Sequence, residues 1–325
     1  MDIRKILDSW SLGSIKNIKK AKMGVVNHNW IIETSSGNYV LRILPKGKKL
    51  KDLMFELKYI DILSKEGFGY QLPYALKTKK GDEIIKSGEN YIWLYRFIEG
   101  HVKNSFGEEE LKEMGKMMAN YHRILEKISL KNGAGKSKPY VKDLILKETE
   151  GFKKSIFNQK KNKEDIIYLK EIEKLLPILE KLDSSKYGKL KQYPIHRDLN
   201  PENVLWQDKK LIGIVDFENV SMNEPLIKDL SIVLQLGCAK DGGRLNVSKA
   251  RHFIKEYIKF RRISVEELRL LPSIITAAYI EDFNYAYWML KNDPERAKLY
   301  RLKKYSNSAQ WYWKNNDKIS GVLLK

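Results

Sequence analysis

The sequence predicts an α+β chain in two parts, an N-terminal antiparallel sheet carrying one helix and then a larger, mainly helical part. Three observations predict it. Short apolar runs separated by turn signals crowd into the first hundred residues, and segments with apolar residues at helical spacing fill most of the rest. The texture changes at IEG, residues 98–100, without a long flexible spacer. Residues 1–98 and 99–325 are therefore expected to form two lobes with a cleft between them, where ligands usually sit.

The elements follow in order. DIRKILDSW, residues 2–10, has helical spacing, and SLGSIKNIKKAKMG leads into the strand-like runs NHNWIIET, NYVLRIL and NYIWLYRFI. SSGN and KSGEN supply the turns that a meander needs. Between the second and third runs, Leu53, Leu57, Ile60 and Leu63 mark a helix that stops before Gly67. Beyond Gly100, helical spacing returns in EEELKEMGKMMANYHRILEKI, VKDLILKETEGFKKSIF and EDIIYLKEIEKLLPILEKL, and again from about residue 247. GAGKS, within residues 132–139, imitates a phosphate loop but reads as a linker: Leu130 stands where that motif needs glycine, and a helical segment rather than a buried strand precedes it.

A chain of 325 residues with 42% hydrophobic content can bury one large or two medium cores. Its 61 lysines and arginines against 41 acids give a formal charge of +20. The lysines are spread over many segments, as on a solvated surface, and no zinc-finger spacing or RNA-recognition signature accompanies them, so nucleic-acid binding ranks third among the functional readings. Cys238, the single cysteine, cannot form an internal disulfide and reads as a small buried residue in a reducing compartment. With no signal-peptide core and no run of about 18 apolar residues, the expected location is the cytoplasm, with no membrane partner.

The chemistry concentrates in YPIHRDLNPENVLW, residues 193–206, and GIVDFEN after it. Taken singly, DLNPEN and DFEN are ordinary Asx-rich turns. Together they give HRDxxxxN followed by an apolar strand ending in Asp216, a hairpin that should bring Asn203 and two carboxylates to one end. Phosphoryl transfer needs those residue types: Asp198 to orient or deprotonate the attacking hydroxyl, Asn203 and Asp216 to hold magnesium against nucleotide phosphates.

These motifs resemble the protein-kinase-like superfamily, specifically its aminoglycoside phosphotransferase, choline kinase and type II homoserine kinase branch. GKMMANYHRI is similar to the branch's helix before the insert and KDLSIVL to its helix after the metal-binding Asp, so the resemblance covers most of the chain. It implies a bilobal protein-kinase-like fold, with ATP and Mg2+ as cofactors. It also implies a structural His196 and an Asp229 that hydrogen-bonds the catalytic-loop backbone; His122 reads as a core residue. Gly24 and Asn27 occupy the place of the phosphate-covering loop without its GxGxxG pattern. Arg42 stands where the phosphate-contacting lysine is expected, with Glu56 as its acidic partner. Tyr95 and Phe97 belong to a hinge, residues 95–99, whose backbone would read the adenine.

The acceptor is expected to be a small molecule. From Asp216 the chain reaches its next helix within about a dozen residues, leaving no room for a peptide-docking segment, and Glu218 replaces the glycine of DFG. Glu281, Asp282, Tyr285 and Trp288 are the candidate substrate residues, acids for ammonium groups and aromatic faces for stacking, although the same residues suit a solvated face and a packed helix. Homoserine or another amino alcohol, an aminosugar or aminoglycoside, and a sugar all remain open as hydroxyl substrates. The alternative is a kinase-like binding protein or spore-coat-type structural protein without turnover.

Overall fold

The computed structural model describes residues 2–21, 28–44, 46–47, 49–128, 141–220, 223–297 and 301–324; Gly24, Asn27 and the GAGKS segment lie outside them. The chain has an α+β, kinase-like fold and divides into two compact units, residues 1–102 with 203–221, and 103–202 with 222–325.

The first unit opens with a short helix α1 (Ile3–Leu7) and strands β1 (Ile15–Lys20), β2 (His28–Thr34) and β3 (Gly37–Ile43). Helix α2 (Leu50–Lys65) follows, then β4 (Ile85–Ser87) and β5 (Asn90–Arg96). The strands form one antiparallel sheet in the order β1-β2-β3-β5-β4. β1 and β4 add edges that the three apolar runs did not reveal. β1 carries lysines, has a register shift between Ile15 and Asn17, and lacks the clean alternation of a half-buried strand, all devices that blunt a sheet edge. Tyr39, Leu41 and Ile43 of β3 pack with Ile6, Leu7 and Trp10 on one face of the sheet. Period-two alternation then turns Arg42 to the opposite face, where its guanidinium meets Glu56 of α2.

In the second unit, helices α3 (Glu108–Lys127), α4 (Val141–Phe157), α5 (Lys163–Lys181) and α6 (Ser184–Gly188) lead to the short strand β6 (Gln192–Pro194). The chain passes back into the first unit for the hairpin β7 (Val204–Gln207) and β8 (Lys210–Ile214), which is tied there by Gln71 against Gly213 and His101 against Trp206. It returns through β9 (Asn223–Pro225), which pairs with β6, into α7 (Ile227–Ile232). A π-helical turn, Val233–Gly237, prolongs α7, and helices α8 (Val247–Phe260), α9 (Val265–Asn292), α10 (Pro294–Ala297), α11 (Leu302–Lys314) and α12 (Asn316–Leu323) complete the unit. α3 and α8 approach closely at Gly115, where a Cβ would lie 2.8 Å from the Phe253 carbonyl oxygen. Among the described residues, no helix is long and apolar enough to cross a membrane.

Candidate active site

In the first unit, Arg42 gathers three carboxylates. Its Nη2 lies 2.6 Å from Asp216 Oδ1 and 3.5 Å from Glu218 Oε2, and its Nη1 lies 3.6 Å from Glu56 Oε1. The Arg42 side chain is 4% exposed and Glu56 5%, whereas Asp216, at 34%, keeps a face in water. Burial opposes the guanidinium charge, but Asp216, Glu56 and Glu218 outweigh it and hold the group still more firmly protonated than usual. Trp93 of β5, opposite Arg42 in the ladder, places its ring 6.0 Å from the guanidinium carbon.

Asp216 follows β8 with a left-handed backbone, φ 68°, uncommon outside glycine and maintained only where the surroundings enforce it. The Val215 amide donates to the Asn203 carbonyl at 3.0 Å, so Asn203 and Asp216 are anchored at the same end of the hairpin. Among the described residues, no cluster of three or more His, Cys, Asp or Glu side chains is arranged for a metal ion. One carboxylate and one carboxamide are nevertheless a fitting donor set for magnesium, a hard cation that retains waters and takes further oxygens from nucleotide phosphates. In the hinge, one backbone donor is already engaged. The Phe97 amide donates to the Asn38 carbonyl at 2.9 Å, continuing the sheet pairing, and is therefore spent as a donor to adenine. Tyr95 is buried in β5, its ring 5.0 Å from that of Trp93.

In the second unit, Asp198 sits in a loop pinned by backbone bonds. Asp229 of α7, fully buried, accepts from the amides of His196 at 3.2 Å and Arg197 at 2.8 Å. Behind it, His122 of α3 places Nε2 3.5 Å from Asp229 and Nδ1 2.7 Å from the Tyr257 hydroxyl. Burial pulls the His122 imidazole below its ordinary pKa, although Asp229 opposes the shift. The tautomer that satisfies both contacts donates from Nε2 to Asp229 and accepts at Nδ1 from Tyr257. His196 is buried, and its Nδ1 accepts from the Asp198 amide at 3.3 Å.

Arg197 also has a left-handed backbone, φ 66°, and its Nε donates to Glu224 of β9 at 2.7 Å; the Tyr187 hydroxyl takes the second oxygen of that carboxylate at 2.7 Å. Asn200 Nδ2 donates to Asp198 Oδ1 at 2.7 Å, while Asn200 Oδ1 accepts from the Glu202 amide at 2.8 Å. The carboxylate that should meet an acceptor hydroxyl is thus held by a side chain itself fixed to the loop.

A further group lies near Asp198. Asp282 of α9 accepts from Gln235 Nε2 at 2.8 Å and feels the charges of Glu281, Lys228 and Asp198. Tyr285 and Trp288, a turn further along, are 40% and 44% exposed and stack on each other at 5.8 Å, so they form a surface aromatic pair rather than helix-packing core. Sequence reasoning missed Asn200, Glu224, Lys228 and Gln235. The only local signal was the position of Asn200, two residues after Asp198.

The sequence model of the phosphotransferase enzyme family matches residues 17–263. The chain belongs to that family. The Agrobacterium fabrum homoserine kinase is 25% identical over 282 residues, 87% of this chain and 83% of that one. Among solved structures, an amicoumacin kinase in complex with AMP-PNP and Ca2+ aligns with a TM-score of 0.67 at 15% identity, covering 97% of this chain and 92% of that one. A microcompartment-associated aminopropanol kinase aligns with a TM-score of 0.68 at 14% identity, covering 99% and 98%. This family member is accordingly a small-molecule kinase, which transfers phosphate to a hydroxyl.

Proposed function

We propose that the chain transfers the γ-phosphate of magnesium ATP to the hydroxyl of a small, amine-bearing alcohol, with homoserine the first acceptor to try. The observation that carries the reading is Asp198, locked by Asn200 at 2.7 Å in a loop whose amides are held by buried Asp229. In this reading Asp198 orients the acceptor hydroxyl and takes its proton as the oxygen bonds to the γ-phosphorus. The bond from that phosphorus to the β–γ bridging oxygen breaks, and ADP leaves with the oxygen. Asn203 and Asp216 would hold magnesium, which when bound neutralises phosphate charge. Arg42 would turn its fork to the phosphates while Glu56 steadies it. Residues 1–98 would then serve the nucleotide and 99–325 the acceptor and the catalytic loop.

An amine on the acceptor is supported by Asp282, which feels the charges of both Glu281 and Asp198. Burial and then the Glu281 charge push the Asp282 carboxyl up to about 7, with Lys228 and Gln235 opposing. A carboxyl raised in this way is neutral below that pH and charged above it, so attraction for an ammonium is present above neutrality and lost as pH falls. The KM for an amine-bearing acceptor should rise about tenfold from pH 8 to pH 6. Asp282→Asn should flatten the profile; a flat profile in the unaltered protein would remove Asp282 from the acceptor site.

The reading is tested by a transfer screen with magnesium ATP against amino alcohols, hydroxy-amino acids, aminoglycosides and amine-free sugars. Amine-bearing acceptors should be phosphorylated in preference, and equal use of amine-free sugars would contradict the assignment.

A further inference from the structure

Arg197 is the residue on which the catalytic loop turns. Its backbone is left-handed, φ 66°, a conformation that a residue with a Cβ keeps only where its surroundings enforce it. Asp229 holds its amide at 2.8 Å. The side chain has a holder of its own. Nε donates to Glu224 Oε1 at 2.7 Å, and the Tyr187 hydroxyl of α6 donates to Oε2 of the same carboxylate at 2.7 Å. The ion pair is shielded from water, with side-chain exposures of 10% for Arg197 and 1% for Glu224. Glutamates are almost never buried so completely unless they are paired. Glu224 is also fixed in register, since it lies opposite Tyr193 in the β6–β9 ladder and β6 leads straight into the loop.

We propose that Glu224 is a positioning residue for the transfer: through Arg197 it enforces the left-handed turn that aims Asp198, and Tyr187 holds Glu224 to that task. The inference rests on the reading of Asp198 as the group that meets the acceptor hydroxyl. Relaxation of Arg197 to a right-handed helical conformation would change φ by about 130° one residue before Asp198 and redirect its carboxylate. Glu224 lies between Asp216 and α7, the stretch in which kinases controlled by modification acquire a phosphate that pairs with an arginine and orders the loop. Here the anion is part of a strand, and the pairing is permanent.

This role predicts a specific rescue. Glycine adopts positive φ without the Cβ penalty, so a glycine at position 197 should no longer need the clamp. The test compares Arg197→Gly/Glu224→Gln with Arg197→Ala/Glu224→Gln. Both partners are changed together because removing one would strand a buried charge. The two double variants lack the ion pair alike and differ by one methyl group. Hydrogen exchange over residues 193–206 is followed by mass spectrometry, and kcat is measured with magnesium ATP and L-homoserine. The glycine variant should keep the loop amides protected and kcat within about tenfold of the unaltered protein. The alanine variant should exchange faster and fall a further 5–150-fold or so in kcat, the population shift that strain of this kind produces. KM for magnesium ATP should hold in both, since Arg42, Asn203 and Asp216 belong to the first unit. Tyr187→Phe, which leaves the ion pair in place, should lower kcat by about 2–10-fold and guards against misfolding of the alanine variant.

Equal exchange in the two double variants would overturn the inference, as would different exchange with equal kcat, or a Tyr187→Phe protein with unaltered kcat. Asp198→Ala with full activity in the same assay would overturn the kinase reading instead. An unaltered protein that leaves L-homoserine unphosphorylated would overturn the acceptor reading alone, and the exchange contrast would then decide the clamp by itself.

Discussion

Asp198→Ala should lower kcat by about 10²–10⁴-fold, the usual contribution of a positioned proton acceptor. Binding of magnesium ATP should be nearly unchanged. The size of the loss follows from how much of the loop exists to present this one carboxylate. The amides of His196 and Arg197 are tied to Asp229, Arg197 to Glu224, and Asp198 itself to Asn200. Removing the Asp198 side chain costs the Asn200 bond but leaves the ties to Asp229 and Glu224 in place, so the defect should be catalytic and not a failure to fold. The check is kcat by coupled ADP release together with a melting temperature; turnover within threefold of the unaltered protein would displace Asp198 from the reaction.

Arg42→Ala should act on both chemistry and stability. Losing one preorganised donor to transferring phosphate costs about 10²–10³-fold in kcat, and the KM for ATP should rise more than the KM for the acceptor. The structural cost is separate. Glu56, 5% exposed, would lose its cation, and breaking a buried pair from one side costs about 3–5 kcal/mol. Arg42→Lys should recover much of the stability but only part of the rate, since an ammonium replaces a fork that reaches Asp216, Glu218 and Glu56 at once. Equal activity of Arg42→Ala and the unaltered protein in steady-state kinetics would show that the position has only a structural role.

What could be read from the sequence was what chemistry requires locally. HRDLNPEN and the strand ending in Asp216 announce themselves because a loop and a hairpin must carry fixed residue types at fixed spacing, and the hairpin is there. The pairing of Arg42 with Glu56 was expected from the resemblance, and it forms because strand alternation and helix spacing each leave one polar residue on an apolar face. The missed residues depend on tertiary placement. Glu224 matters because the β6–β9 pairing brings it to Arg197 and Tyr187, and Gln235 because a π-helical turn aims it at α9. Lys228 looked like one more surface lysine, and only the packing of α7 buries it. That the Phe97 amide is taken by Asn38 could not be read from the sequence, because it depends on how far the partner strand continues. Tyr285 and Trp288 show the limit of periodicity, since a stacked pair one turn apart has the same spacing whether it faces core or water.

The most direct test of the account follows phosphorus by 31P NMR while the unaltered protein and its Asp198→Ala variant are incubated with magnesium ATP and L-homoserine. The account predicts stoichiometric ADP and a new phosphomonoester resonance with the unaltered protein, and neither with the variant. ATP consumed to inorganic phosphate without a phosphomonoester, or equal product from both proteins, would contradict it.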